Sequence, residues 1–167
     1  MLHSISDFES LWSQELEATQ KIFKHLTDKS LSFTAAVETR TLARLAWHIV
    51  LTIPEMMSKT GLTISGVKEN DPVPTSAKAI FKAYSDTALS LLDQVKSKWT
   101  DATLEQKDEM YGEKWKRGQT LTSLIIHQVH HRAQMTVLMR QAGLKVPGIY
   151  GPAREEWAAF GAEPPTV

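Results

Sequence analysis

The sequence predicts an all-α fold, a four-helix bundle with long connecting loops. Four segments of roughly 20 residues repeat apolar side chains at helical spacing. The stretches between them are rich in glycine, proline and polar residues. No segment alternates in the manner of a half-buried strand.

The first helix begins at Ser4 or Ser6, because each serine has an acid three residues on, Asp7 or Glu9, as in a capping box. Phe8, Leu11, Trp12, Leu16, Ile22 and Phe23, with Glu15 among them, form a stripe that ends near His25 or Leu26. The second helix runs from about Thr39 to Lys59, carried by Leu42, Leu45, Ala46, Ile49, Ile53 and Met56. Pro54 sits inside it and cannot donate to the Val50 carbonyl, so a kink is expected there. GLTISGVKENDPVPT reads as a loop. The third helix runs from Thr75 or Ser76 to Trp99 on Ile80, Tyr84, Ala88, Leu91, Leu92 and Val95. A long connection follows, TDATLEQKDEMYGEKWKRG, with a short extended piece at its centre. The fourth helix runs from about Gly118 to Ala142, and Gly143 is suited to end it. The turn-rich tail LKVPGIYGPAREEW is expected to pack across one end of the bundle. The loops after helices 2 and 3 are long enough for a crossover.

A length of 167 residues suits one domain over 1–167 with one core. Nineteen basic residues balance nineteen acidic ones, which argues against a general nucleic-acid binder, because neutralising phosphates needs a basic surface. The absence of cysteine excludes disulfides, thiolate metal sites and a cysteine nucleophile. Any metal must be held by histidine, carboxylate or water. No apolar run approaches the roughly 18 residues of a membrane span. The opening MLHSISDFESLW lacks the layout of a signal peptide, so the expected address is cytoplasmic.

Chemistry concentrates in HQVHHRAQM, residues 127–135, with three histidines in five positions. Leu124, His127, His131, Met135 and Leu138 share one face of helix 4, so two imidazoles one turn apart project into the bundle. That spacing lets two ring nitrogens meet one cation. His130 follows His127 by three residues, so a 127/130 pair is also possible, although His131 is nearer the centre of the stripe. Catalytic metal sites usually take three protein ligands. His48, in TLARLAWHIV, is the third candidate if helices 2 and 4 touch at that level. Thr52 and Glu55 lie on its side, one and two turns on. Isolated helical histidines such as His3 and His25 read as ordinary hydrogen-bonded residues. Glu55 is the one acid nominated near the site, as general base or partner to a ligand. Gln134 lies near the His131 side and is nominated to hydrogen-bond within the site. Arg132 points away from His131, toward a neighbouring helix or subunit. Trp47 projects off the stripe of helix 2; it either marks a partner surface or packs under the long loop or the tail.

These segments resemble the DinB/YfiT-like metalloenzyme family. HQVHHRAQM resembles its H-x-x-x-H-R-[GA]-Q signature, with Ala133 where glycine is commoner. LARLAWHIV, YGEKWKRGQTL and GLKVPGIYGP resemble further family segments, so the likeness covers nearly the whole chain. The resemblance implies a four-helix bundle with metal ligands His48, His127 and His131, and His130 as a neighbour. It implies a homodimer, a small-molecule substrate and, for some members, a low-molecular-weight thiol in transferase or isomerase reactions.

The resulting expectation is a metal-dependent hydrolase or thiol S-transferase. Zinc, nickel and ferrous iron all suit imidazole ligands. No nucleic acid or membrane partner is expected. The rival reading is a non-catalytic, stress-related dimeric binding protein with a vestigial or structural metal site. A ferritin-like di-metal site is set aside because the chain has no Glu-x-x-His, and a metalloprotease because it has no His-Glu-x-x-His.

Overall fold

The computed structural model describes residues 2–166. Four helices dominate: α1 (Ile5–Lys24), α2 (Leu42–Ser58), α3 (Ala77–Lys98) and α4 (Arg117–Gln141). Side-chain caps set three of the starts. Ser4, Thr41 and Ser76 accept from the amides of Asp7, Arg44 and Ala79, which relieves helix N-termini of unpaired donors. Ser4, not Ser6, is therefore the first cap. α2 continues through Pro54 as one helix. Gly143, at a φ of 75°, follows the end of α4.

α1 packs on α3 and α4, and α2 packs on α3 and α4. The order around the bundle is thus α1, α3, α2, α4, and two connections cross a diagonal. These are residues 25–41 and 99–116. The loop after α2, expected to allow a crossover, instead joins neighbours, while the first connection crosses. A 3₁₀ turn at Asp28–Ser32, capped by Thr27, gives that first connection its structure, and the Leu42 amide donates to Phe33 to hold its far end.

The core is aromatic between α1 and α3. Phe8 stacks on Trp12, Phe23 meets Tyr84, and the Trp12 indole donates to the Ala88 carbonyl at 2.9 Å. Trp47 is only 3% exposed and donates to the Asp71 carbonyl at 3.0 Å. It packs under the loop after α2, which removes it as a partner surface.

The expectation of no sheet needs correction. Residues Lys107–Met110 (β1) and Glu113–Lys116 (β2) form an antiparallel hairpin, with Met110 paired to Glu113. Tyr111 and Gly112 turn it, both at positive φ, as a two-residue hairpin loop demands. Met110 is fully buried and Arg117 pairs with Asp108 at 2.8 Å, so the hairpin is anchored at both ends. In the tail, the Glu156 carboxylate accepts from the amides of Gly148 and Ala153, both at 3.0 Å. Tyr150 reaches back to α1 and donates to Glu15 at 2.8 Å.

Candidate metal centre

α2 and α4 are direct neighbours, which brings the three imidazoles together. His127 and His131 stand one turn apart on α4, and His48 faces them from α2. The His127 Nε2 atom lies 3.1 Å from the His48 Nε2 and 3.1 Å from the His131 Nε2. One ligand atom from each ring falls within 4.8 Å of the other two. Nitrogens bound about 2.0–2.1 Å from one cation sit roughly 3.0–3.4 Å apart, so the donor set fits a single divalent ion. The ring planes are steeply inclined to one another, so the rings meet edge to face.

The protonation states fit as well. Desolvation, followed by the nearby Arg40 guanidinium, lowers His48 from 6.5 to about 4. Desolvation and then the neighbouring His131 lower His127 to about 4. Burial also lowers His131, although its bond to Gln134 opposes this. All three rings are therefore neutral near pH 7 and offer lone pairs. The Gln134 Oε1 lies 2.8 Å from the His131 Nδ1, while its amide nitrogen lies 3.1 Å from the His130 Nε2. Nδ1 of His131 then carries the proton, and its Nε2 faces the other imidazoles bare. Gln134 thus acts through His131 as a positioning residue. His130 is exposed and outside the triad. The His127 Nδ1 is buried without a partner among the described residues, so packing rather than a hydrogen bond orients that ring.

Two cavities flank the triad. One, of about 410 Å³, is lined by His48, Thr52, Glu55, Tyr111, Trp115 and His127. The nominated Glu55 lines this cavity with His48 and His127, and its carboxylate is engaged. It accepts from the Tyr111 hydroxyl at 2.7 Å and pairs with Lys59 at 3.3 Å. Burial and the Glu55 bond both raise the Tyr111 hydroxyl's pKa, so it stays protonated. The second cavity, of about 500 Å³, opens on the other side of His131, against Arg40, Leu45, Gln134, Val137 and Leu138. Sequence reasoning missed Tyr111, Trp115 and Arg40. Neither hairpin residue carries a helical period, and Arg40 precedes its helix.

Arg132 faces away from the triad, as expected, and its target is α1. It is 2% exposed and bonds to the Glu15 Oε2 at 2.6 Å, the Thr19 hydroxyl at 3.0 Å and the Tyr150 hydroxyl at 2.5 Å.

The fold and site together define a helical-bundle protein with three converging imidazoles from two adjacent helices that could hold a metal ion. Comparison with known proteins agrees on the fold and supplies the family. The DinB family model matches residues 1–166, and the chain belongs to that family. It is 47% identical to the Bacillus subtilis (strain 168) protein named "Uncharacterized protein YrdA", over the full length of both. A crystal structure of a DinB-like protein from Bacillus cereus ATCC 10987 is similar, with 46% identity and a TM-score of 0.86. That match covers 90% of this chain and 100% of the other. A second DinB-like structure, YjoA from Bacillus subtilis, shares the fold at 17% identity and a TM-score of 0.68, covering 87% and 98% of the two chains. Among the described residues, no helix is long and apolar enough to cross a membrane.

Proposed function

We propose that this protein is a metal-dependent enzyme in which His48, His127 and His131 hold one divalent ion, zinc or nickel by preference and ferrous iron as the other candidate. The observation that carries the reading is the convergence of three neutral imidazoles, with one ring nitrogen of each within 4.8 Å of the others, beside a cavity. When bound, such an ion supplies Lewis acidity that lowers the pKa of a water or thiol in its open position.

The remaining chemistry belongs to the side chains. Gln134 holds the His131 ring in the tautomer that presents Nε2. Glu55, Tyr111 and Lys59 form a proton-holding group at the mouth of the cavity, with Glu55 as acceptor and Tyr111 as donor. Trp115 walls the cavity and limits water. Such a site suits attack on a small electrophile, either by hydrolysis or by S-transfer from a low-molecular-weight thiol.

The test is metal analysis of tag-free protein and of His131→Ala, as purified and after loading with each ion. About one ion per chain, lost in the variant, supports the reading. Absence of metal after every loading refutes it and favours a non-catalytic binding protein. Activity screening of hydrolase and thiol-transfer substrates, with and without chelator, follows the first outcome.

A further inference from the structure

Arg40 and Arg44 stand apart from the other arginines. Arg117, Arg132 and Arg140 each bond to a carboxylate, and Arg154 donates to the Pro165 carbonyl. Among the described residues, neither Arg40 nor Arg44 has an ion pair or a side-chain hydrogen bond. No acid occurs between Arg40 and Glu55 in the sequence. Yet both arginines lie beside His48, and Arg40 lies beside His131 as well. With Trp47, His48 and Leu51 they line a recess of about 140 Å³, and Arg40 also lines the 500 Å³ cavity against His131.

This is an unfavourable arrangement for the molecule by itself. Two guanidinium charges next to a site suited to a cation repel whatever positive charge that site takes up. An anion between the arginines and the triad would remove the repulsion. The guanidinium fork matches a carboxylate or phosphate edge. Beyond Arg40 the cavity wall turns apolar, with Leu45, Val137 and Leu138.

We propose that a small organic anion binds across Arg40, its carboxylate or phosphate held by Arg40 and by Arg44 of the adjoining recess, and its short apolar body laid in the larger cavity against Leu45, Val137 and Leu138. The proposal deepens the reading of the triad as a reacting centre, since such an anion would present its remaining functional group to the imidazoles. It names the substrate class as an amphipathic organic acid or phosphate ester.

The test is calorimetric titration of chelator-treated and zinc-loaded protein with hexanoate, hexyl phosphate, hexanol and hexylamine. Wild type is compared with R40Q, R44Q, the double variant and R40K, and zinc stoichiometry is measured in each. Both arginines are exposed, so the variants should fold. At least one anion should bind the chelator-treated protein, with the alcohol and amine weaker. R40Q should weaken it about tenfold, the worth of one charge-assisted hydrogen bond, and R40K should recover part of the loss. The preferred anion identifies the head group. Arginine-dependent binding in a protein that takes up no zinc, nickel or iron upholds the anion site while refuting the metal reading. Equal binding by wild type and the double variant overturns the proposal, as does anion binding that appears only with zinc and ignores the arginines. Failure of both anions to bind either form also overturns it.

Discussion

The Arg132–Glu15 pair separates what the signature motif does for the fold from what it does for the site. Both residues are nearly inaccessible, at 2% and 4% exposure, and their charged atoms lie 2.6 Å apart. Replacing Arg132 with Met fills much of the same space but leaves the Glu15 carboxylate buried, with only the Tyr150 hydroxyl donating to it. Removing one partner of a buried ion pair costs about 3–5 kcal/mol. At about 2–4 °C per kcal/mol for a chain of this size, the melting temperature should fall by roughly 6–20 °C. Replacing both charges, R132M with E15Q, removes the stranded carboxylate as well. The double variant should therefore be more stable than the sum of the single losses allows. The assay is thermal unfolding in chelator, so that metal does not contribute, with zinc stoichiometry measured separately on the folded proteins. A loss under about 1 kcal/mol for R132M would refute the reasoning, because one exposed pair is worth that much. So would strictly additive single and double variants. Loss of zinc binding with an unchanged melting temperature would move Arg132 from the scaffold into the site.

Gln134→Leu should leave stability nearly unchanged, because Gln134 is exposed, while lowering zinc affinity about 10- to 100-fold in a competition assay, since the His131 Nδ1 loses its acceptor. In chelator-treated protein, stability to urea should fall as pH drops from 6.5 toward about 4, because His48 and His127 remain neutral in the folded chain while the unfolded chain binds protons. Their stabilisation is fully present above 6.5 and is lost below it; with both rings half-exposed, about 1 kcal/mol each is expected, and His127→Gln should flatten the curve. Gly148→Ala places a Cβ 2.3 Å from the Gly151 carbonyl oxygen and 2.4 Å from the Glu156 carboxylate, so it should open the tail. Faster proteolysis after Lys145 and Arg154, with little change in global melting, is the expected result, since no residue of the Arg154–Phe160 turn is buried.

The helices were readable because three of them pair an apolar period with a side-chain cap, while α4 pairs its period with Gly143 just past its end, and these signals are local. The hairpin was not. KDEM and EKWK are too charged to alternate, and the turn uses Tyr111 at φ 54° rather than asparagine. What stabilises it is the Asp108–Arg117 pair at its base and Met110 in the core, and the second depends on the bundle already being formed. The diagonal crossings were equally hidden, because loop length permits a crossover without selecting which loop makes it. Trp47 was ambiguous for a related reason. Periodicity identifies the face a helix turns to its neighbours, but a loop can cover the opposite face. The triad itself was legible on α4 as a period, whereas His48 needed the α2–α4 contact. Arg40 and Arg44 left no trace as site residues, because an unpaired arginine reads as a solvated one.

α4 is crowded with polar residues because it serves two sides of the bundle at once. Consecutive helical residues point about 100° apart, so His131 and Arg132 address different neighbours from adjacent positions. His131 meets α2, and Arg132 meets α1, which lies on the opposite flank of α4. The guanidinium, held by Glu15, Thr19 and Tyr150, thereby adds a polar tie to the apolar packing that sets the rotation of α4 about its own axis. That rotation decides whether the two imidazoles on α4 face His48. The arginine and the second histidine of the motif thus act on different flanks of one helix, the first adding to the packing that holds the angle the second requires. Zinc affinity should therefore fall less in R132M than in Q134L when both are measured well below the melting range, because packing of Leu124, Met135 and Leu138 still limits the turn of the helix. An R132M protein that is folded yet binds zinc more weakly than Q134L would show that the buried pair, and not the apolar stripe, sets the angle.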